Sequence, residues 1–344
     1  MLRRLRVALL CFGALGAAHP ASAQDVREGS PILPAHRSMY ERGLAYLTAH
    51  QGKDGGFSSD AGVTGICVMA LLASGEDPNF GRYADAVHRG VGKLIQGQNK
   101  STGLIGSGMY QHGFATLALA DCYGAVDDRI LGEKVDRLRR TIGEALELAV
   151  RCAVTSQKKN PFNAWRYSPS STDADTSATG AVLMGLLGAR NAGIAVPDES
   201  IDKALDYFST MTSSSGDVGY SGIGSFGQSK ARSSICALVF AVAKRRGEDA
   251  YENASRKIVV SRNGPDGGWG HPCYTRYYVS QALFQADYKA WREWSVENTR
   301  DLIARQADDG SITLGGGYHG PQYQTAMLLL SAALDFTLLP VYER

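Results

Sequence analysis

Long apolar runs are scarce in this chain of 344 residues. Beyond the first two dozen positions none approaches the roughly 20 residues that a membrane-spanning helix requires. The longest, such as Ala326 to Leu334, suits a buried helix, so no membrane span is expected. An excess of one charge is also missing. Thirty-six Lys and Arg face 34 Asp and Glu, which gives a net charge of +2 and none of the basic surplus of a nucleic-acid binder. Cysteine is sparse and unpatterned: after Cys11 come Cys67, Cys122, Cys152, Cys236 and Cys273, an odd number with no C-x-x-C pair. Such spacing does not make a disulfide framework, and Cys67 and Cys236 sit in apolar helical patterns as small core residues. No phosphate-binding G-x-x-x-x-G-K-S/T occurs, and Gly315 to Gly317 lack the lysine that should follow. Ser221 in G-Y-S-G-I lacks the closing glycine of a nucleophile elbow. No cofactor is expected.

The first 23 residues set a compartment. Arg3, Arg4 and Arg6 precede an apolar stretch from Val7 to Ala18 and a small-residue ending at Ala23, the pattern of a secretory signal peptide. The expected location is secreted or periplasmic. Without that leader 33 basic side chains face 34 acidic ones, a net charge of −1, so the slight basicity belongs to the leader. The expected organisation is a signal peptide over 1–23, an N-terminal segment over 24–38 and one domain over 39–344.

Glycine is what the chain has in surplus, 40 residues against the ~7% of an ordinary protein. The glycines punctuate a repeat of an amphipathic helix, a Gly-rich turn and a second, more apolar helix. The turn is clearest as Q-G-K-D-G-G-F from Gln51 and R-N-G-P-D-G-G-W-G from Arg262, with weaker copies from Gln98, Gln157, Gly216 and Gln306. The helices that follow align on Thr64, His112, Thr179, Ser233, Arg276 and Thr325, and the longest step, from His112 to Thr179, marks an insertion. Val63, Ile66, Cys67, Ala70 and Leu71 make one apolar helical face. Val87, Val91, Leu94 and Ile95, and again Leu138, Ile142, Ala145, Leu146 and Ala149, make the narrower stripes of the preceding helices. These patterns predict an all-α chain, an α/α toroid of about six helical hairpins with inner and outer helix layers.

The Q-x-x-D-G-G-F/W turns in a six-fold hairpin repeat resemble the prenyltransferase and squalene-oxidase repeat superfamily, from about Tyr40 to Phe336. The resemblance implies two chemistries to look for. D-A-D-T at Asp173 to Thr176 looks like the D-x-D-D motif of squalene-hopene cyclases. On that match Asp175 is the acid that protonates the olefin, Asp173 is the first acid, and Thr176 replaces the last. The competing reading is that Asp173 or Asp175 caps the helix starting near Thr176. The metal site of protein prenyltransferases would fall at Cys273 and the last inner helix, but His271 stands in place of its Asp and Gln324 in place of its His. No metal is therefore expected, with His271, Cys273 and His319 as the alternative ligand set. The C-G-E-Q thioester of complement-type toroids is absent.

A third chemistry follows from export and shape. Trp165, Tyr167, Trp269, Tyr274, Tyr277, Tyr278, Tyr318 and His319 fall in or just after the turns at one end of the ring, where aromatic faces can stack on sugars or lock neighbouring repeats. Asp60, Asp266 and Asp309 lie in equivalent loops. The sequence thus predicts a toroid without cyclase or prenyltransferase chemistry that binds a hydrophobic, glycan or protein ligand. The alternative is an enzyme, either a squalene-cyclase-like isomerase using Asp175 or a polysaccharide-cleaving barrel.

Overall fold

A computed structural model describes residues 34–264, 271–315 and 319–336. They form thirteen α-helices and no named strand. The outer members of the hairpins are α1 (Pro34–Ala49), α3 (Ala84–Gly97), α6 (Ile142–Lys159), α8 (Asp198–Thr210), α10 (Asp249–Ser261) and α12 (Tyr288–Arg305). Each leads into an inner partner: α2 (Ala61–Leu72), α4 (Met109–Cys122), α7 (Thr176–Asn191), α9 (Lys230–Val242), α11 (Pro272–Ala286) and α13 (Gly320–Ala332). The inner helices pack in the order α2, α4, α7, α9, α11, α13 and back to α2, so the ring closes. This is the predicted α/α toroid. The predicted insertion holds the short helix α5 (Asp128–Lys134), which lies against α3.

The two layers bury differently, and each difference follows from position. On α3 the apolar stripe Val87, Val91, Leu94 and Ile95 turns inward while Asp85, Arg89 and Gln96 stay in water. On α2 every residue from Gly62 to Leu71 is buried, not only the predicted face, because an inner helix has the outer layer behind it and the axis in front. The sixth-helix stripe starts one turn later than its sequence pattern: Thr141 and Glu144 form a capping box that begins α6 at Ile142 and leaves Leu138 before the helix.

The repeat is written in side-chain hydrogen bonds. In four turns a glutamine amide donates to its own turn and to the next outer helix: Gln51 to the carbonyls of Gly55 and Ala86, Gln98 to Gly103 and Ala145, Gln157 to Asn163 and Ser200. Gln306 donates to Gly310 and, across the seam, to Met39 on α1. The aligned inner-helix residues tie the same turns down. Thr64, Thr179 and Thr325 accept from the backbone N–H of Phe57, Trp165 and Ile312. His112 does so through Nδ1 from Ile105, which leaves Nε2–H to donate to the Ala149 carbonyl. Burial lowers the His112 pKa to about 4, so this imidazole is a neutral strut.

Two close approaches explain where glycine is obligatory. Gly310 has φ +90°, and a Cβ there would lie 2.3 Å from the Arg42 carbonyl oxygen of α1. At Gly113 a Cβ would lie 2.4 Å from the Ala181 carbonyl carbon, so α4 and α7 touch backbone to backbone.

Candidate functional site

Because the inner helices run parallel, their starts gather at one end of the ring. Met109 N–H donates to the Tyr167 carbonyl, Thr176 N–H to the Tyr220 carbonyl, and Gln111 Nε2 to Asp60 Oδ2 at 2.9 Å, each linking one helix start to a neighbouring turn or start. The candidate acids stand here.

Asp175 is the N-cap of α7: Oδ1 accepts from Ala178 N–H at 2.7 Å. The side chain is fully buried, and Oδ2 lies 3.5 Å from Arg166 Nε. Burial raises its pKa to about 6, although the helix N–H groups and Arg166 pull it down and Asp173 pushes it up a little further. Asp173 is 63% exposed, with Oδ2 3.2 Å from Nη1 of the same Arg166. Thr176 is committed to packing, since its hydroxyl donates to the Gly219 carbonyl at 2.8 Å. The capping function expected for one of the two acids therefore belongs to Asp175. Both acids share one arginine.

Arg166 also lies over two aromatic rings, 5.2 Å from the Tyr167 centroid and 5.5 Å from that of Tyr220. The two phenol hydroxyls hydrogen-bond to each other, joining the turn before α7 to the turn before α9. Tyr167 is 53% exposed and offers a ring face to solvent.

The other aromatics divide. Trp165 is buried and its indole N–H donates to the Ala153 carbonyl, so it is a core strut rather than a rim residue. Tyr274, Tyr277 and Tyr278 are buried on α11 and stack edge-on, 4.7 Å between Tyr274 and Tyr278 and 4.8 Å between Tyr277 and Tyr278. Tyr110 and Phe114 of α4 reach them from the opposite wall. These rings occupy the axis instead of lining an open rim, because inner helices so close together leave room for only one layer of large side chains. Trp269, Tyr318 and Asp266 lie outside the described residues. His319, half-exposed, has Nδ1 4.0 Å from Asp60 Oδ2 and its ring against Tyr323.

Asp60 repeats the capping role on α2, accepting from Gly62 and Val63 N–H, and Asp309 holds its own turn through Ser311. Cys273 donates its thiol to Gln324 Oε1 at 3.6 Å, and burial pushes its pKa up to about 11, so it stays protonated. A shallow cleft lies between His271, Cys273, Tyr274, His319 and Tyr323. No set of three His, Cys, Asp or Glu among the described residues is placed to hold a metal ion. Cys67, Cys122, Cys152, Cys236 and Cys273 are all buried free thiols. No described helix is long and apolar enough to cross a membrane.

Two central residues of this end, Arg166 and Tyr220, are not among the site residues that the sequence offers. Arg166 lies between two of the candidate aromatics, and Tyr220 closes the G-D-V-G-Y turn, so both were in view. Only the pairing of turns from successive repeats brings them together.

No family model matches the chain, and no curated protein matches its sequence. Solved structures match its fold. The GH76A α-1,6-mannanase of Salegentibacter sp. HEL1_6 is 12% identical, with a TM-score of 0.60 over 87% of this chain and 99% of that one. The type II terpene cyclase MstE from Scytonema is 15% identical, with a TM-score of 0.57 over 87% and 97%. An α-amylase from Clostridium perfringens is 9% identical, with a TM-score of 0.54 over 86% and 97%. The likeness is one of fold. It joins this chain to toroids of quite different chemistry, which is what identity this low carries.

Proposed function

We propose that the protein is an exported α/α toroid that binds a sugar-like ligand at the end bearing Arg166, Tyr167 and Tyr220, without cyclase or prenyltransferase chemistry. One observation carries the reading: Arg166 is ion-paired to both Asp173 and Asp175. Two carboxylates working as acid and base must face each other across a substrate bond. Here a guanidinium stands between them, and one of the pair is spent on a helix cap. An isoprenoid would need an apolar chamber on the axis, where Tyr274, Tyr277, Tyr278 and Phe114 pack instead. What remains accessible is a polar surface with the exposed ring of Tyr167, which suits a sugar face. A mannanase of the same fold has been captured with α-1,6-mannotetrose, so an oligosaccharide is a ligand this architecture accommodates.

A second reading is supported by Asp175 itself. A buried carboxyl with its pKa raised to about 6 is in the range of a general acid for polysaccharide cleavage. One experiment separates the two. The purified protein is titrated with a panel of oligosaccharides by calorimetry, and the recovered sugars are analysed by chromatography. Binding weakened about tenfold by Tyr167→Ala, with the sugars recovered intact, is the expected result. Products that disappear in Asp175→Asn would establish the enzyme.

A further inference from the structure

This inference rests on the ligand-binding reading above and names the chemistry of the ligand. A guanidinium carries five N–H donors. Arg166 spends them poorly: Nη1 and Nε stand 3.2 and 3.5 Å from Asp173 and Asp175, and no hydrogen bond from this side chain to any described residue accompanies those two approaches. Its side chain is 22% exposed, so the head is sheltered yet reachable. Asp175 is fixed by its capping bond, whereas Asp173 is 63% exposed on the solvent side. The site is thus a cation with spare donors, two aromatic rings that hold it in place and a counter-ion free to swing away.

Charge and shape narrow what can enter. One guanidinium against two ionised carboxylates leaves the cluster at −1, so a dianion is repelled, while a monoanion can replace Asp173 like for like. The planar fork of arginine matches a carboxylate through two parallel hydrogen bonds. Arg166 covers one face of Tyr167, and the rest of that half-exposed ring, next to the guanidinium, gives an apolar surface for the sugar that bears the carboxylate. We infer that Arg166 anchors the carboxylate of a uronic-acid residue, which takes the place of Asp173 while the sugar ring lies on Tyr167.

The test uses trisaccharides that carry a single galacturonate or glucuronate residue, and their methyl esters, which keep the sugar and lose the charge, titrated calorimetrically into the whole protein. At least one acid trimer binds the wild type, and its ester binds at least tenfold more weakly. Arg166→Gln, checked for native melting, brings the acid down to the level of the ester. Asp173→Asn, an exposed change also checked for native melting, tightens the acid several-fold because the competing carboxylate is gone. The inference is overturned if acid and ester bind alike, if Asp173→Asn weakens the acid, or if neither acid binds. Ester binding that is lost in Tyr167→Ala would then preserve the sugar-binding site and discard only the carboxylate anchor. Sugars indifferent to Tyr167→Ala would remove both.

Discussion

Asp175→Asn should make this protein more stable at neutral pH. Asparagine keeps the side-chain oxygen that accepts from Ala178 N–H, so the cap of α7 survives. What disappears is a buried negative charge. Holding a carboxyl at about 6 instead of its ordinary 3.8 costs the folded state about 3 kcal/mol once the group is ionised. That cost is what remains after Arg166 and the helix N–H groups have offset part of the burial. The sign follows from proton counts. Between pH 3.8 and 6 the folded chain holds a proton at Asp175 that the unfolded chain has released, so wild-type stability from this group falls as pH rises through that window and stays low above it. Urea unfolding of both proteins from pH 3.5 to 8 isolates the effect, since titrating groups away from Asp175 cancel in the difference. The curves should coincide near pH 3.5 and separate by roughly 2 to 3 kcal/mol above pH 6.5, with the variant higher. A variant less stable than wild type at pH 7.5 would refute the reasoning and show that the Arg166 pair outweighs the burial of its acid.

Other perturbations test the repeat. Gln98→Ala strands the buried carbonyls of Gly103 and Ala145 and should cost about 2 to 4 kcal/mol in chemical denaturation, while Arg89→Ala, on the exposed face of α3, should cost a few tenths. Gly310→Ala puts a side chain at φ +90° against the Arg42 carbonyl at the seam, and should lower thermal stability by at least about 2 kcal/mol; a neutral effect would mean that the seam is not closed by this contact. His112 should remain neutral down to pH 5 in histidine NMR. Because its folded pKa is depressed to about 4, its contribution to stability is complete above pH 6.5 and is lost as pH falls toward 4.

The architecture was legible because it repeats. The aligned positions Thr64, His112, Thr179 and Thr325 were chosen from apolar spacing, and each proves to hold the preceding turn by the same kind of hydrogen bond. The glutamines that mark the turns in the sequence satisfy backbone carbonyls twice over, in their own turn and in the next outer helix. Legibility ended where residues of different repeats meet. Spacing along one helix cannot say whether Tyr277 faces a rim or the axis, and the axis won because the inner helices approach so closely. Trp165 and Tyr167 are two positions apart, yet one is a buried strut and the other a half-exposed ring. Arg166, between them, gained its importance only from Asp175 below it and Tyr220 in the next turn.

The most direct test of the account is to mix the wild-type protein with an excess of an oligosaccharide it binds, then measure bound and product sugar together over a day. Stoichiometric binding with the sugar recovered unchanged is predicted. Continued accumulation of shortened or rearranged sugar, abolished by Asp175→Asn, would contradict the claim that Arg166 has taken both acids out of catalysis.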